Sequence, residues 1–85
     1  MYSKLEILKK RLIYRASYRG TKEMDILLSS FVNKNINTFD VDLLKELEKF
    51  LNFEDETILN FYNYNIIEKE IDKNKVSKLF KNFKV

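Results

Sequence analysis

Three arginines are the residues of this sequence best suited to bind polar or anionic groups. Thirteen of the sixteen basic residues are lysines, and the arginines are spaced four residues apart, at Arg11, Arg15 and Arg19. On a helix this spacing places them in a single stripe. The guanidinium group is planar and always charged, and it donates hydrogen bonds in a fixed fork. The pattern therefore predicts a surface that binds hydrogen-bond acceptors of a partner.

Two tyrosines and the only glycine lie within this stretch. Tyr14 and Tyr18 add aromatic rings to the basic strip. Gly20 predicts the end of the first helix, because glycine adopts the left-handed conformation after a helix without steric penalty. A turn there would bring Lys22 and Glu23 close to the strip and leave no side chain at Gly20 to keep a partner away. The candidate partner-binding residues are Arg11, Tyr14, Arg15, Tyr18, Arg19, Gly20, Lys22, Glu23 and Asp25.

Each of these features also has a purely structural explanation. A basic strip can be a solvated helix face, and its cations also complement the helix dipole. Gly20 can be a plain C-terminal cap, and Glu23 can be half of a capping box at the start of the next helix. The functional interpretation is favoured because all of these features occur together at one turn.

Missing residue types exclude most catalytic chemistry. The chain has neither cysteine nor histidine, so it lacks disulfides, thiol nucleophiles, the usual zinc ligands and the only side chain that titrates near neutral pH unaided. No acidic cluster suggests carboxylate catalysis. We predict that the protein is not an enzyme, has no metal site and does not stably bind a cofactor.

Charge is unevenly distributed along the chain. The net charge is +3, but residues 1–22 contain seven basic residues and one acidic residue, a balance of +6, and the remainder has nine against twelve, a balance of −3. No apolar run approaches the roughly 20 residues of a membrane span, and the N-terminus lacks the apolar region of a signal peptide. We predict a soluble cytoplasmic protein whose basic end contacts its partner.

Apolar residues that recur every three or four positions predict helices in the first half of the chain. The first helix is predicted from Ser3, as its N-cap, to about Tyr18, and the second is predicted to be capped by Gly20 or Thr21. A polar connector is predicted at 33–38, which contains three asparagines. The predicted core residues are Leu5, Leu8, Leu12, Ala16, Met24, Leu27, Leu28, Phe31 and Val32.

Three further helices are predicted in the second half. Asp40 is the expected N-cap of a third helix that ends at Asn52, and Asp55 is the expected cap of a short fourth helix reaching about Tyr64. A fifth helix is predicted at 68–83, with a weak point at 72–75. The chain is therefore expected to be a single all-α domain of residues 1–85, a small bundle of about five short helices and a monomer. Its predicted core residues here are Leu43, Leu44, Leu47, Phe50, Leu51, Ile58, Leu59, Phe61, Tyr62, Ile71, Val76, Leu79, Phe80 and Phe83.

The stretch 11–25 resembles the FAD assembly factor family of succinate dehydrogenase. It contains Arg-Leu-Ile-Tyr at 11–14, and then the family's signature, Arg19-Gly20-x-x-Glu23, followed by Asp25 and Ile-Leu-Leu. The resemblance continues through the Phe39-Asp40 helix start and 54–61 to the segment 75–83. The chain departs from the family at Glu56, where proline is frequent, at Phe61, where tryptophan is usual, and at Ser30, where glycine is frequent. These departures affect packing and capping and leave the signature intact.

The resemblance implies a five-helix protein that binds the flavoprotein subunit of succinate dehydrogenase. It further implies that the protein promotes covalent attachment of FAD to a histidine of that subunit, so that FAD becomes part of the partner. A related fumarate reductase subunit is a further candidate client. In a eukaryote the expected location would be the mitochondrial matrix.

Two other classes of function are alternatives to this one. A basic patch with interleaved tyrosines is also typical of a small nucleic-acid-binding module. Against that alternative, the isoelectric point of about 9.1 is moderate, the charge is confined to one short helix, and no known nucleic-acid-binding motif is present. A regulatory or toxin-neutralising module has no positive sign in the sequence.

Overall fold

The computed structural model describes residues 3–84, and they form five α-helices and one short 3₁₀ helix. The α-helices are α1 (Lys4–Ser17), α2 (Lys22–Asn35), α3 (Val41–Phe50), α4 (Asp55–Tyr64) and α5 (Lys75–Lys81), with the 3₁₀ turn at Ile71–Lys73. Residues 3–84 contain no strand. The predicted all-α fold with five helices is confirmed.

Local capping signals explain where three of the helices begin. The side chains of Ser3, Thr21 and Asp40 each accept a hydrogen bond from the backbone N–H three residues later, as N-caps do. The predicted cap of α4 is wrong. Glu54 occupies that N-cap position, with no side-chain cap in the described structure, and Asp55 is the first helical residue.

The helices pack mainly as two pairs, α1 with α2 and α3 with α5. Almost all of the predicted core residues are buried or partly buried, and Phe31 lies at the centre of the aromatic cluster. Its ring meets the rings of Phe80 and Phe83 edge-on, at centroid distances of 5.2 and 5.3 Å. Leu5 and Leu79 were predicted to be buried, but both are exposed. Leu5 lies in the first turn of α1, and Leu79 lies on the outer face of the short α5.

The predicted connector at 33–38 is wrong in its first half, because α2 continues to Asn35. The side chains of Asn33 and Asn35 donate to the carbonyls of Ser29 and Phe31 at 2.8 Å, and so remain within the helix surface. Ile36 follows and is buried. Tertiary burial here overrides the weak helix propensity of asparagine.

The predicted fifth helix is interrupted at its expected weak point. Asn74 separates the 3₁₀ turn from α5, and its side-chain oxygen accepts from the N–H groups of Val76 and Ser77 at 2.8 and 3.0 Å. Its amide nitrogen donates to the carbonyl of Glu46 in α3 at 2.9 Å. One buried asparagine thus caps α5 and attaches it to α3.

None of the helices in the described part of the chain is both long enough and apolar enough to cross a membrane.

Candidate functional site

The candidate site is built on the turn between α1 and α2, which we call the signature turn (residues 18–23). α1 ends where the Ser17 hydroxyl donates to the carbonyl of Ile13 at 2.8 Å and Tyr18 leaves the helical conformation. α2 begins when Thr21 accepts the N–H of Met24 at 3.2 Å. Glu23 is therefore the second residue of α2. Its negative carboxylate interacts favourably with the positive end of the helix dipole there.

Arg19 lies within this turn and directs its guanidinium into the protein. Its Nε donates to Oδ1 of Asp55 at 2.8 Å, and its two Nη groups donate to the carbonyls of Leu51 and Phe53 at 3.1 and 3.0 Å. The Arg19 side chain is only 12% exposed. Hydrogen bonds to charged groups contribute about 1.5–3 kcal/mol each, so this fork holds the signature turn against the connection between α3 and α4.

Two aspartates hold consecutive backbone N–H groups of the turn. The N–H of Arg19 donates to Asp25 in α2, and the N–H of Gly20 donates to Oδ2 of Asp55 at 2.9 Å. Asp55 therefore uses one oxygen for the Arg19 side chain and the other for the Gly20 backbone. Both carboxylate oxygens of Asp55 are therefore engaged by the signature turn.

Gly20 does not adopt the left-handed conformation that we predicted. No described glycine has a positive φ angle, so the expected cap geometry is wrong. A β-carbon at Gly20 would lie 3.1 Å from Oδ2 of Asp55, tighter than most contacts of this kind. A β-carbon here would require the Asp55 carboxylate to move by a few tenths of an ångström, so its close approach to the backbone favours glycine.

The predicted stripe of three arginines is limited to α1. Because α1 ends at Ser17, Arg19 lies outside it, and only Arg11 and Arg15 share the helix. The half-buried Arg15 donates through Nη2 to the side-chain oxygen of Asn52, also in the α3–α4 connection. Two of the three arginines thus attach the end of α1 to the same connection.

The remaining face of α1 forms an exposed strip, which we define as Ile7, Arg11, Tyr14 and Tyr18. Ile7, Arg11 and Tyr14 follow at intervals of three or four and so lie along one side of α1. Tyr18 lies just beyond the end of the helix and joins them through its ring contact with Tyr14. The tyrosine side chains are 64% and 71% exposed, and their ring centroids are 4.6 Å apart with planes inclined by 40°. Arg11 is exposed and has no hydrogen bond or ion pair within residues 3–84. This exposed strip therefore presents a cation and two aromatic faces to solvent.

The exposed Lys22 and Glu23 continue the surface onto α2. Glu23 lies at one side of a shallow groove of about 250 Å³ between α2 and α4, whose other lining residues are Ile26, Leu27 and Tyr62. The groove is largely apolar, so the carboxylate stands beside a surface that an apolar side chain could contact.

The structure divides the nine predicted site residues into two groups. One group is exposed and free to meet another molecule: Arg11, Tyr14, Tyr18, Lys22 and Glu23. The other group is joined by hydrogen bonds within the chain and shapes the turn: Arg15, Arg19, Gly20 and Asp25. Sequence reasoning missed the contribution of Asn52 and Asp55. Asp55 belongs to an acidic run at 54–56, and this run signalled only a helix start.

Within residues 3–84 there is no group of three or more acidic side chains that could hold a metal ion.

Comparisons with known proteins found a matching protein family and individual similar proteins. Residues 10–84 match a family described as "Flavinator of succinate dehydrogenase". This range contains the whole signature turn and every predicted site residue. It also includes all of α2 to α5 and most of α1.

Individual relatives are similar over shorter segments. "Succinate dehydrogenase assembly factor 2, mitochondrial" of Schizosaccharomyces japonicus is 39% identical over 54 residues, which are 64% of this chain and 38% of that protein. "FAD assembly factor SdhE" of Acetobacter pasteurianus is 36% identical over 53 residues, 62% of this chain and 49% of the relative. The assembly factor 2 of Arabidopsis thaliana is 41% identical over 44 residues, 52% of this chain and 23% of the relative. The matched segment thus spans less than half of each relative.

Proposed function

Because the chain belongs to the family of succinate dehydrogenase flavinators, we propose that it binds the flavoprotein subunit of succinate dehydrogenase and promotes covalent attachment of FAD to that subunit. The observation that carries this proposal is the family match over residues 10–84. A related fumarate reductase subunit is a second candidate client. We expect the chain to act as a monomer, in the cytoplasm or, in a eukaryote, in the mitochondrial matrix.

The exposed members of the site would form the contact with the flavoprotein. Tyrosine and arginine are enriched among the residues that dominate binding energy at protein interfaces, because each combines a large contact area with directional hydrogen bonding. The exposed strip and the start of α2 provide both types. The proposed contacts are Arg11, Tyr14, Tyr18, Lys22 and Glu23, with Arg15, Arg19, Gly20 and Asp25 holding the signature turn in shape.

This role requires no catalytic group on the chain itself. A chain without histidine or cysteine can promote a reaction by binding the reactive conformation of its partner more tightly than the other conformations. Such a binder shifts the population of the partner by its difference in affinity, and each 1.4 kcal/mol of that difference changes the population about tenfold. Bond formation is then left to the flavoprotein and FAD, and the chain needs no stable FAD site of its own.

The proposal is tested by expressing the chain with the flavoprotein subunit in cells that lack their own assembly factor. We expect the tagged chain to co-purify with the flavoprotein, and covalent flavin on the client to appear as fluorescence in a denaturing gel. Cells without the chain provide the control. A client that is equally fluorescent with and without the chain would refute the proposal.

The exposed strip also favours one alternative, a module that binds single-stranded nucleic acid by stacking bases on its tyrosines. Salt dependence separates the two functions. Binding to phosphates releases counterions and falls steeply as salt increases, whereas a packed protein interface responds less. Recovery of nucleic acid alone, abolished at moderate salt, would support this alternative.

A further inference from the structure

Asp55 joins the signature turn to the opposite half of the chain. Its two carboxylate oxygens accept from different groups of the turn, Oδ1 from Nε of Arg19 at 2.8 Å and Oδ2 from the N–H of Gly20 at 2.9 Å. The Asp55 side chain is 24% exposed, and the Arg19 side chain that covers it is half as exposed. We propose that Asp55 is a positioning residue for flavinylation, an inference that rests on the proposed function. It acts by fixing the signature turn that presents the neighbouring contact residues.

The hydrogen bonds show that this carboxylate serves the turn and not its own helix. An aspartate at a helix start ordinarily accepts N–H groups of the first turn. In α4 the described residues show no side-chain cap, although Glu54 and Asp55 both stand at the start. Both oxygens of Asp55 instead face donors of the turn, some 35 residues earlier in the sequence.

Arg19 extends this link to the end of α3. The carbonyls of Leu51 and Phe53, which accept its Nη groups, follow the last turn of α3, where carbonyls lack partners within the helix and the helix dipole is negative. The guanidinium therefore neutralises this end of α3 while Asp55 holds its Nε. The signature turn, α3 and α4 meet at these two side chains.

The proposed contact residues that flank Arg19 and Gly20 are oriented by the same turn. Tyr18 immediately precedes Arg19, and Glu23 lies three residues beyond Gly20, in the first turn of α2. If Asp55 released Gly20, the backbone between these two contacts would lose one of the hydrogen bonds that fix it and would depend on the bonds to Asp25 and Thr21. Misplacing a positioning group by about 1 Å can reduce a rate on the order of 100-fold.

The test uses Asp55→Asn in the chain of residues 1–85. The amide has the shape of the carboxylate, but one acceptor oxygen becomes an NH₂ group that must face a donor, either Arg19 or Gly20. We expect client flavinylation to fall about tenfold or more, measured at a temperature at which every variant is folded. The melting temperature should fall by about 5–15 °C.

Two matched variants separate positioning from a general loss of stability. Glu56→Gln removes a carboxylate from the same first turn of α4 and should leave flavinylation unchanged. Ile58→Val truncates a fully buried side chain of α4 and should lower the melting temperature by about 5 °C without reducing flavinylation by the folded protein.

Gly20 provides a direct reporter of the link. It is the only glycine in the chain, so its amide can be identified without ambiguity by selective ¹⁵N-glycine labelling. The amide proton should shift upfield in Asp55→Asn, because a charge-assisted hydrogen bond is lost, and should be unmoved in Glu56→Gln. This readout follows the geometry of the turn and does not depend on the client.

The outcomes distinguish this inference from the function on which it rests. If the wild-type chain fails to promote flavinylation, the proposed function is refuted. If the wild-type chain is active and Asp55→Asn is equally active despite a shifted Gly20 amide, only the positioning role is refuted. Should Asp55→Asn fail to fold, Asp55→Glu, which keeps the charge but moves it by one methylene, takes its place. A folded and fully active Asp55→Glu with a shifted Gly20 amide would likewise overturn the inference.

Discussion

Arg11 and Arg19 are the same residue type eight positions apart, yet the structure uses them in opposite ways. Arg11 lies in the middle of α1, so its side chain extends along the helix surface and remains exposed. Arg19 lies beyond the end of α1, where the chain has turned, and its guanidinium donates to a carboxylate and two carbonyls of the same chain. The position relative to the end of the helix decides whether an arginine is free or engaged.

This difference separates two ways in which a substitution can abolish function. Changes at Arg19 and Gly20, which are joined to the rest of the chain by hydrogen bonds, should alter stability and shape together. Changes at Arg11 and Tyr14 on the exposed strip should alter binding alone. The following predictions test that separation, from the largest expected change in the free energy of unfolding to the smallest.

Leu27→Ala should cause the largest loss in the free energy of unfolding. Leu27 is buried in α2, on the same helix as Glu23, and its truncation should reduce the free energy of unfolding by about 2–5 kcal/mol. Because small domains have only about 5–15 kcal/mol in total, much of the protein could unfold near its working temperature. Denaturant melts measure the loss. An unchanged melt would show that the assigned core face of α2 is wrong.

Arg19→Lys should destabilise the protein although the charge is retained. Lysine lacks the planar fork, so the hydrogen bonds to Leu51 and Phe53 cannot both be kept, and we expect a loss of about 2 kcal/mol, equivalent to roughly 10 °C in melting temperature. Arg11→Lys is the matched control, because the same substitution on the exposed strip should leave the melting curve unchanged. Equal melting temperatures for the two variants would show that the hydrogen bonds of Arg19 do not stabilise the protein more than the exposed Arg11 does.

Gly20→Ala should cost about 1 kcal/mol, because the new methyl group crowds the carboxylate of Asp55. Since the φ angle of Gly20 is not positive, the backbone itself should tolerate alanine. The loss should therefore shrink when Asp55 is also replaced by alanine, and a double-mutant cycle by thermal melting measures this coupling. Strict additivity of the two substitutions would contradict the steric explanation.

Arg11→Ala and Tyr14→Ala should change the free energy of unfolding by no more than about 0.5 kcal/mol. Each should nevertheless weaken binding to the flavoprotein about tenfold or more, as expected for an arginine or tyrosine at the centre of an interface. Titration of the purified client measures the affinity. Lys45→Ala, which removes an exposed charge on α3, is the control and should bind as wild type does. Wild-type affinity in both strip variants would place the contact elsewhere.

The features that were predicted correctly depend on short-range signals. Ser3, Thr21 and Asp40 cap helices through bonds that span three residues, and the buried faces follow the helical period. Both kinds of signal are contained in a window of one or two turns. The break at Asn74 was anticipated for the same reason, as a weak point in a local pattern.

The features that were missed depend on groups distant in the sequence. The type and position of Asp55 indicate a cap, and nothing nearby shows that Arg19 and Gly20 will be its partners. The conformation of Gly20 was wrongly predicted for a related reason, since a close approach by a distant carboxylate explains a glycine as well as a left-handed turn does. Next to the buried Ile36, α2 continues through the polar residues 33–35, which the sequence pattern had assigned to a connector.

The hydrogen bond between Asp55 and Gly20 also determines when the signature turn can be completed during synthesis. A ribosome completes α1 and α2 well before it reaches Asp55, which follows Gly20 by 35 residues. Until Asp55 is synthesised, Arg19 has no carboxylate to pair with. The carbonyls of Leu51 and Phe53, which also accept from Arg19, are synthesised only shortly before Asp55. A nascent or truncated chain could form the helical hairpin but could not complete the turn. A client that binds the completed turn would therefore select chains whose synthesis and folding have passed the start of α4.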